Sequence, residues 1–314
     1  MGKVAASSMV AGSFWAKVAA AVRPRMRERI FCILQDSTAS EGNEQSKPLN
    51  TGRNYAAKPR KILSLKASKP QSFRTMRILL SPSKSMNAIG APVATQYAPL
   101  IDSATLLADR VRSYTMDWAA FYGCSPRLAQ QAKEQWDLWN PASLGTQAAF
   151  TFTGEAFGRL RPETWAAPHQ AQERLRILSG LYGILRPQDG VLPYRLDLGQ
   201  SIEGKRLTHY WKDSVTDWLL RDAGASTVLN CASEEYSEGI DSTKFCWIDF
   251  VFLQNVKGKV RSVSALSKQA RGSMARFLAN HSSSNPEVAQ TFKDEGYAFF
   301  KEESNESRWV FVRK

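Results

Sequence analysis

Apolar positions in residues 76–314 alternate between short strand-length runs and longer stretches of helical period, a pattern that predicts a mixed α/β body. MRILLS at 76–81 reads as a strand stopped by Ser81-Pro82. Residues 101–113 read as a helix with Leu106, Leu107, Ala108 and Val111 on overlapping apolar turns. Two short helices are expected around Gly123-Cys124-Ser125-Pro126, with Ser125 as the cap and Pro126 in the first turn of the second. Trp118, Phe121 and Tyr122 precede this turn, and Leu128, Ala132 and Trp136 follow it. A helix over 210–222 places Val215, Trp218 and Leu219 on one face. STVLN at 226–230 is a strand leading to a cap at Ser233. Strands at 245–255 and 260–266 are joined through Lys257-Gly258-Lys259 as a hairpin. A helix at 268–280 turns Ala270, Met274, Phe277 and Leu278 inward, and strands near 297–301 and 309–313 close the chain.

The segment 175–199, LRILSGLYGILRPQDGVLPYRLDLG, breaks this regularity with four glycines and two prolines. Glycine and proline both cost stability in a helix interior, so a plain amphipathic helix is excluded. Leu175, Leu178 and Leu181 are expected to carry one short helical face that Gly180 and Gly183 end. Arg186-Pro187 and Leu192-Pro193 then preset turns that fix Arg186, Asp189, Tyr194, Arg195 and Asp197 on a rigid loop. The plainer alternative is a buried crossing whose Arg and Asp side chains satisfy one another.

Charge divides the chain. Residues 1–75 hold 14 Lys+Arg against 4 Asp+Glu; removing these from the totals of 42 and 29 leaves 28 and 25 for residues 76–314. The net +13 of the chain therefore sits mostly in the first 75 residues, and it says little about what the body binds. The basic, acid-poor start with Lys3, Lys17, Arg23, Arg25 and Arg27 fits either an organellar transit peptide or a start placed upstream of Met76. A basic arm for nucleic acid is a third reading. Residues 36–75 are polar and read as a disordered linker. The compartment expected is accordingly cytoplasmic if translation begins at Met76, and a mitochondrion or plastid if 1–75 is a transit peptide. The apolar run from Met9 to Val22 is broken by Gly12 and Lys17 and is too short to span a bilayer.

No cofactor, metal or disulfide is expected. Cys32, Cys124, Cys231 and Cys246 lack C-x-x-C spacing, and His169, His209 and His281 stand alone. There is no P-loop, no internal repeat and no G-x-G-x-x-G fingerprint.

The chemistry-bearing candidates sit beside strand ends and on one helix. Lys84 follows the first strand, Glu155 follows the strand-like FTFT at 150–153, and Glu234 and Glu235 follow STVLNCAS. Lys268 and Arg271 are three apart and hence neighbours on a helix surface, and Gly272 would let a partner segment approach closely. Lys84, Arg186, Arg195, Lys268 and Arg271 are expected to converge on one cleft.

Five blocks carry a family resemblance: MRILLSPSKSM at 76–86, FTFTGEAFGRL at 150–160, the segment 175–199, LNCASEEYS at 229–237 and SKQARGSMARF at 267–277. In this order, with WVFVR at 309–313, they resemble the YaaA family of peroxide stress proteins. The resemblance implies one compact mixed α/β domain over 76–314. It also implies a role in the response to hydrogen peroxide that limits damage tied to free iron. DNA binding, through a positively charged cleft and a helix-hairpin-helix-like element, is implied as well. Residues near 116–137 correspond to that element, with one hairpin glycine where the motif usually has two, and Arg127 and Lys133 would assist its phosphate contacts. Gln269 stands where family members often carry a second lysine.

Two functions follow. The first is DNA binding, duplex or branched and not sequence-specific, by Lys84, Arg127, Lys133, Arg186, Arg195, Lys268 and Arg271. The alternative is an enzyme acting on a phosphate-bearing or nucleobase-like substrate, with Lys84, Glu155 and Glu235 in acid/base roles. A binder needs unpaired cations along an open groove; an enzyme needs a pocket with acids inside.

Overall fold

The computed structural model describes residues 75–114, 117–256 and 259–313, all within one compact unit, Ala67–Lys314. The expectations for the N-terminal extension lie, Thr75 apart, outside the described residues, as do Cys32 and the hairpin positions Lys257 and Gly258. The body is mixed α/β, as its pattern predicts.

The strands are β1 (Met76–Leu80), β2 (Thr146–Gln147), β3 (Leu175–Ser179), β4 (Gly183–Leu185), β5 (Gly190–Val191), β6 (Ser201–Ile202), β7 (Lys205–Arg206), β8 (Thr227–Cys231), β9 (Cys246–Val256), β10 (Lys259–Arg261), β11 (Tyr297–Phe299) and β12 (Arg308–Arg313). The α-helices are α1 (Ile101–Ser113), α2 (Trp118–Tyr122), α3 (Pro126–Leu138), α4 (Ala148–Thr151), α5 (Glu155–Leu160), α6 (Pro168–Arg174), α7 (Leu207–Ala223), α8 (Glu234–Ser237) and α9 (Ser264–Asn280).

The main sheet runs β11-β12-β9-β8-β1-β3-β4, with β10 hanging from β9. Its centre, β12-β9-β8-β1-β3, is parallel, and β4, β10 and β11 pair antiparallel at the edges. The central strands are buried on both faces, so they read as unbroken apolar runs rather than alternations. From β1 the chain builds outward to β3 and β4 on one side; after α7 it crosses to the other side and builds β8, β9 and β12. The strand order therefore reverses between β1 and β8. Crevices outside the carboxyl ends of strands at such a reversal are where open α/β sheets hold ligands.

The structure corrects four local expectations. Residues 175–179 form β3, not a helical turn: all five side chains are buried, and the run pairs in parallel with β1 at Ile78↔Leu175. A three-residue leucine spacing cannot distinguish a helix face from a strand wrapped on both sides, and burial between sheet neighbours decides it. FTFT is not a strand; α4 ends at Thr151, and Phe152 makes only an isolated bridge to Met86. Residues 260–266 divide into the short β10 and the first turn of α9, because serines at 262 and 264 favour a turn and a helix start over a continuing strand. Ser233 stands at the N-terminal cap position of α8 without capping it; its backbone N–H donates to the Ser81 hydroxyl instead. Elsewhere the pattern holds: α1 covers 101–113, and α3 starts at Pro126 with the Ser125 hydroxyl accepting from the Leu128 N–H.

At the opposite, amino end of the sheet a charge cluster closes the core. Asp222, near the end of α7, receives Arg77 from β1 at 2.9 Å and Arg176 from β3 at 2.7 Å. The Arg176 side chain is 3% exposed and also lies over the Trp218 ring. Removing one partner of a buried pair leaves an uncompensated charge, so Asp222→Ala is expected to cost about 3 kcal/mol or more. The urea midpoint should fall accordingly, and Asp222→Asn should fall less because it keeps an acceptor.

Candidate functional site

The carboxyl ends of β1 and β8 open into a cavity of about 590 Å³. β1 delivers Ser81, Pro82, Ser83 and Lys84 to its wall, and β8 with α8 delivers Cys231, Ser233, Glu235 and Tyr236. The Ser233 N–H donates to Ser81 Oγ at 2.8 Å, which locks the two loops together just above the sheet. α5 contributes Glu155, Ala156 and Phe157, and α9 lays Ser264, Ser267, Lys268 and Arg271 along one helical face.

α9 reaches this wall because Gly272 lets it lie directly on the α5 backbone. A Cβ at 272 would stand 1.9 Å from the Ala156 carbonyl oxygen. Glu155 then falls within reach of α9 and accepts a hydrogen bond from Gln269 Nε2 at 2.5 Å. The Glu235 carboxylate lies close to Gly199, where a Cβ would meet it at 2.4 Å.

Lys84 is not free. Its Nζ lies 2.6 Å from Asp197 Oδ2, and the Tyr236 hydroxyl donates to the other oxygen of the same carboxylate. The Lys84 side chain is 64% exposed, and an ion pair of that exposure contributes roughly 0–1 kcal/mol, so the contact orients the amine more than it stabilises the fold. Burial first, and the carboxylate of Asp197 second, push the Tyr236 phenol far above its ordinary value; it remains a donor. Sequence alone singles out Asp197 as a loop acid but gives Tyr236 no role; the pairing needs loop 195–199 and α8 to meet, which no local pattern records.

Arg271 is the most enclosed cation of the site. Burial pulls its pKa below the usual guanidinium value, and its Nη1 donates to the Cys231 carbonyl at 3.3 Å. Among the described residues no carboxylate lies within ion-pair distance of Arg271 or Lys268. The Cys231 thiol is fully buried, and burial pushes it up to about 12. A thiol in that state is a poor nucleophile and a poor peroxide sensor.

A second, more open chamber of about 490 Å³ shares Lys84 and Glu235 with the first. Arg195 lines it, with its guanidinium carbon 5.6 Å from the centre of the Tyr122 ring. The helical hairpin α2–α3 borders this chamber through Phe121, Tyr122 and Gly123, and Gln200 Nε2 ties the hairpin to the loop by donating to the Phe121 carbonyl. Gly123 caps α2 in the left-handed conformation.

Of the cations expected to converge, Lys84, Lys268 and Arg271 share the first cavity with Glu155 and Glu235, and Arg195 lies in the adjoining chamber. Arg186 lines neither; it closes on the buried Asp189 at 3.0 Å, the structural pairing that was the plainer alternative for this loop. Lys133 pairs with Asp137 along α3 at 3.0 Å, and Arg127 is exposed on the first turn of that helix. Neither lines the cavity or the chamber beside it. Among the described residues no group of His, Cys, Asp and Glu is arranged to hold a metal ion, and no helix is long and apolar enough to cross a membrane.

Gly272→Ala is expected to lower stability by about 1–3 kcal/mol, the usual cost of forcing atoms into a packed contact. The melting temperature should drop by several degrees in a body of this size. An unchanged melting curve would mean that α9 and α5 separate easily and that the wall is not fixed by this contact.

Comparison with known proteins gives the same grouping as the motifs. The family model described as peroxide stress protein YaaA matches residues 76–303. A UPF0246 protein of Neisseria meningitidis serogroup A is 35% identical over 254 residues, covering 76% of this chain and 98% of the relative. A UPF0246 protein of Cupriavidus metallidurans is 35% identical over 258 residues, at 76% and 99% coverage. One from Neisseria gonorrhoeae is 34% identical over 254 residues, at 76% and 98%. By this match and these relatives, the chain belongs to the YaaA peroxide stress family.

Proposed function

We propose that this family member acts in peroxide stress as an acid/base enzyme on a small phosphate-bearing or nucleobase-like substrate held in the cleft. The observation that carries the reading is the mixture of charges within one cavity: Glu155 and Glu235 share its walls with Lys84, Lys268 and Arg271. Acids inside a pocket would repel a polyanionic backbone, but they suit proton transfer. Positioned acids and bases of this kind supply about 10²–10⁴-fold in rate. Glu235 is the general-base candidate, since no hydrogen bond within the described residues engages its carboxylate. Lys84, aimed by Asp197, is the candidate acid or electrostatic partner. Glu155, held by Gln269, is the second carboxylate.

The test is conversion. The full chain, incubated with a panel of nucleosides, nucleotides and phosphorylated metabolites, should change the mass of at least one, and Glu235→Gln should slow that change at least a hundredfold. In cells lacking the protein, wild type should restore survival of hydrogen peroxide and limit iron-linked damage; Glu235→Gln should not. No conversion by wild type together with full protection by Glu235→Gln would overturn the reading.

DNA-backbone binding is the second reading. The helical hairpin α2–α3 favours it, because the hairpin borders the open chamber beside Arg195 and Lys84. Phosphate contacts need only cations and backbone donors. If it operates, Lys268→Ala with Arg271→Ala should weaken duplex binding about equally for all sequences. The salt slope should shrink by about one unit for each phosphate no longer engaged. Unchanged binding by that variant at low salt would remove this cleft from the reading and leave the basic first 75 residues as the binding segment.

A further inference from the structure

The walls of the main cavity are sorted by charge, and the sorting specifies how a ligand would lie. On the α9 side, Lys268 and Arg271 line the space with no carboxylate in ion-pair reach among the described residues, and Ser264 lines the same wall. Arg271 spends one of its five N–H donors on the Cys231 carbonyl, and no other hydrogen bond engages it among the described residues. Arg271 is largely withdrawn from water, and the carboxylate of Asp249, beyond ion-pair distance, offsets that cost only in part, so an anion settling beside the guanidinium recovers free energy. Two cations without a direct ion pair match the two charges of a phosphomonoester; a carboxylate would leave one of them unmatched.

The other charges of the cavity do not compete for that place. Lys84 is matched by Asp197 at 2.6 Å, and Glu155 is held by Gln269. Glu235 is the exception on its own side: an exposed carboxylate, an acceptor only, with no donor reaching it among the described residues. It calls for an N–H group. Between the two walls the lining is apolar, with Leu80, Pro82, Ala156 and Phe157. A volume of about 590 Å³ falls within the range of small-molecule and cofactor sites, about 300–1,000 Å³.

We propose that this cavity seats a nucleoside monophosphate, its phosphate on Ser264, Lys268 and Arg271 and the exocyclic amino group of its base on Glu235. The proposal rests on the small-ligand reading of the same cleft and adds to it a ligand class and an orientation. No covalent step is part of it.

Orientation makes it testable by calorimetry on the full chain at low salt, with adenosine monophosphate, inosine monophosphate, adenosine and inorganic phosphate as probes. Adenosine monophosphate should bind at least tenfold more tightly than adenosine, inorganic phosphate or inosine monophosphate, which has a carbonyl in place of the amino group. Lys268→Gln and Arg271→Gln should each weaken adenosine monophosphate and phosphate at least tenfold and leave adenosine within about threefold. Glu235→Gln should weaken adenosine monophosphate and adenosine but leave phosphate unchanged or tighter. Lys268 is exposed, so its variant carries the test even if Arg271→Gln fails to fold. Absence of wild-type binding, or binding unaffected by Lys268→Gln, would overturn the proposal, as would equal affinity for the inosine and adenosine monophosphates. If those results came with Glu235-dependent conversion of another metabolite, the ligand class would fall and the acid/base reading would stand. If the binding pattern held with no conversion of any substrate, the acid/base reading would fall and the site would stand.

Discussion

The hydrogen bond from the Ser233 N–H to the Ser81 hydroxyl joins two segments 152 residues apart at one point above the sheet. It follows from the parallel pairing of β1 with β8, whose register Leu80↔Cys231 ends both strands at the same level. Everything that follows each strand is thereby delivered to the same opening: Lys84 on one loop, Glu235 and Tyr236 on the other. Without that shared end point the acids and cations of the cleft would belong to separate surfaces. The strand reversal beside it leaves the opening uncovered by a crossover helix.

Charge is handled differently at the two ends of the sheet. At the amino end, Arg77, Arg176 and Asp222 share contacts so closely that little remains for a ligand. Asp189, with no exposed side chain, likewise satisfies Arg186 within its own loop. At the carboxyl end the pairing is incomplete, with Lys84 engaged and Lys268 and Arg271 open toward the cavity. A structural network satisfies its members, whereas a site leaves some of them facing solvent. That contrast within one molecule separates the two uses of buried and half-buried arginine.

Much of this is legible in the sequence where the physics is local. Helix α1, the Ser125-Pro126 start of α3 and the strand at 76–80 follow from period, cap and proline placement over a few residues. The candidate residues at strand ends are legible for the same reason, since Lys84 and Glu235 each follow an apolar run and a turn. What is not legible depends on partners distant in the chain. Residues 175–179 become a strand only because β1 lies beside them. Asp197 and Tyr236 meet across 39 positions. Gly272 is readable as a point of close approach, but its neighbour, the α5 backbone, cannot be read from α9 alone.

The buried state of Cys231 has a consequence for how the cleft meets the oxidants for which its family is named. Oxidants consume thiolates, and each turn of that chemistry must be reversed by a reductant before the protein is serviceable again. A thiol held in the neutral form beneath the cavity floor has almost no thiolate to lose. The wall it helps to build therefore does not present that thiol to an oxidant in the cavity.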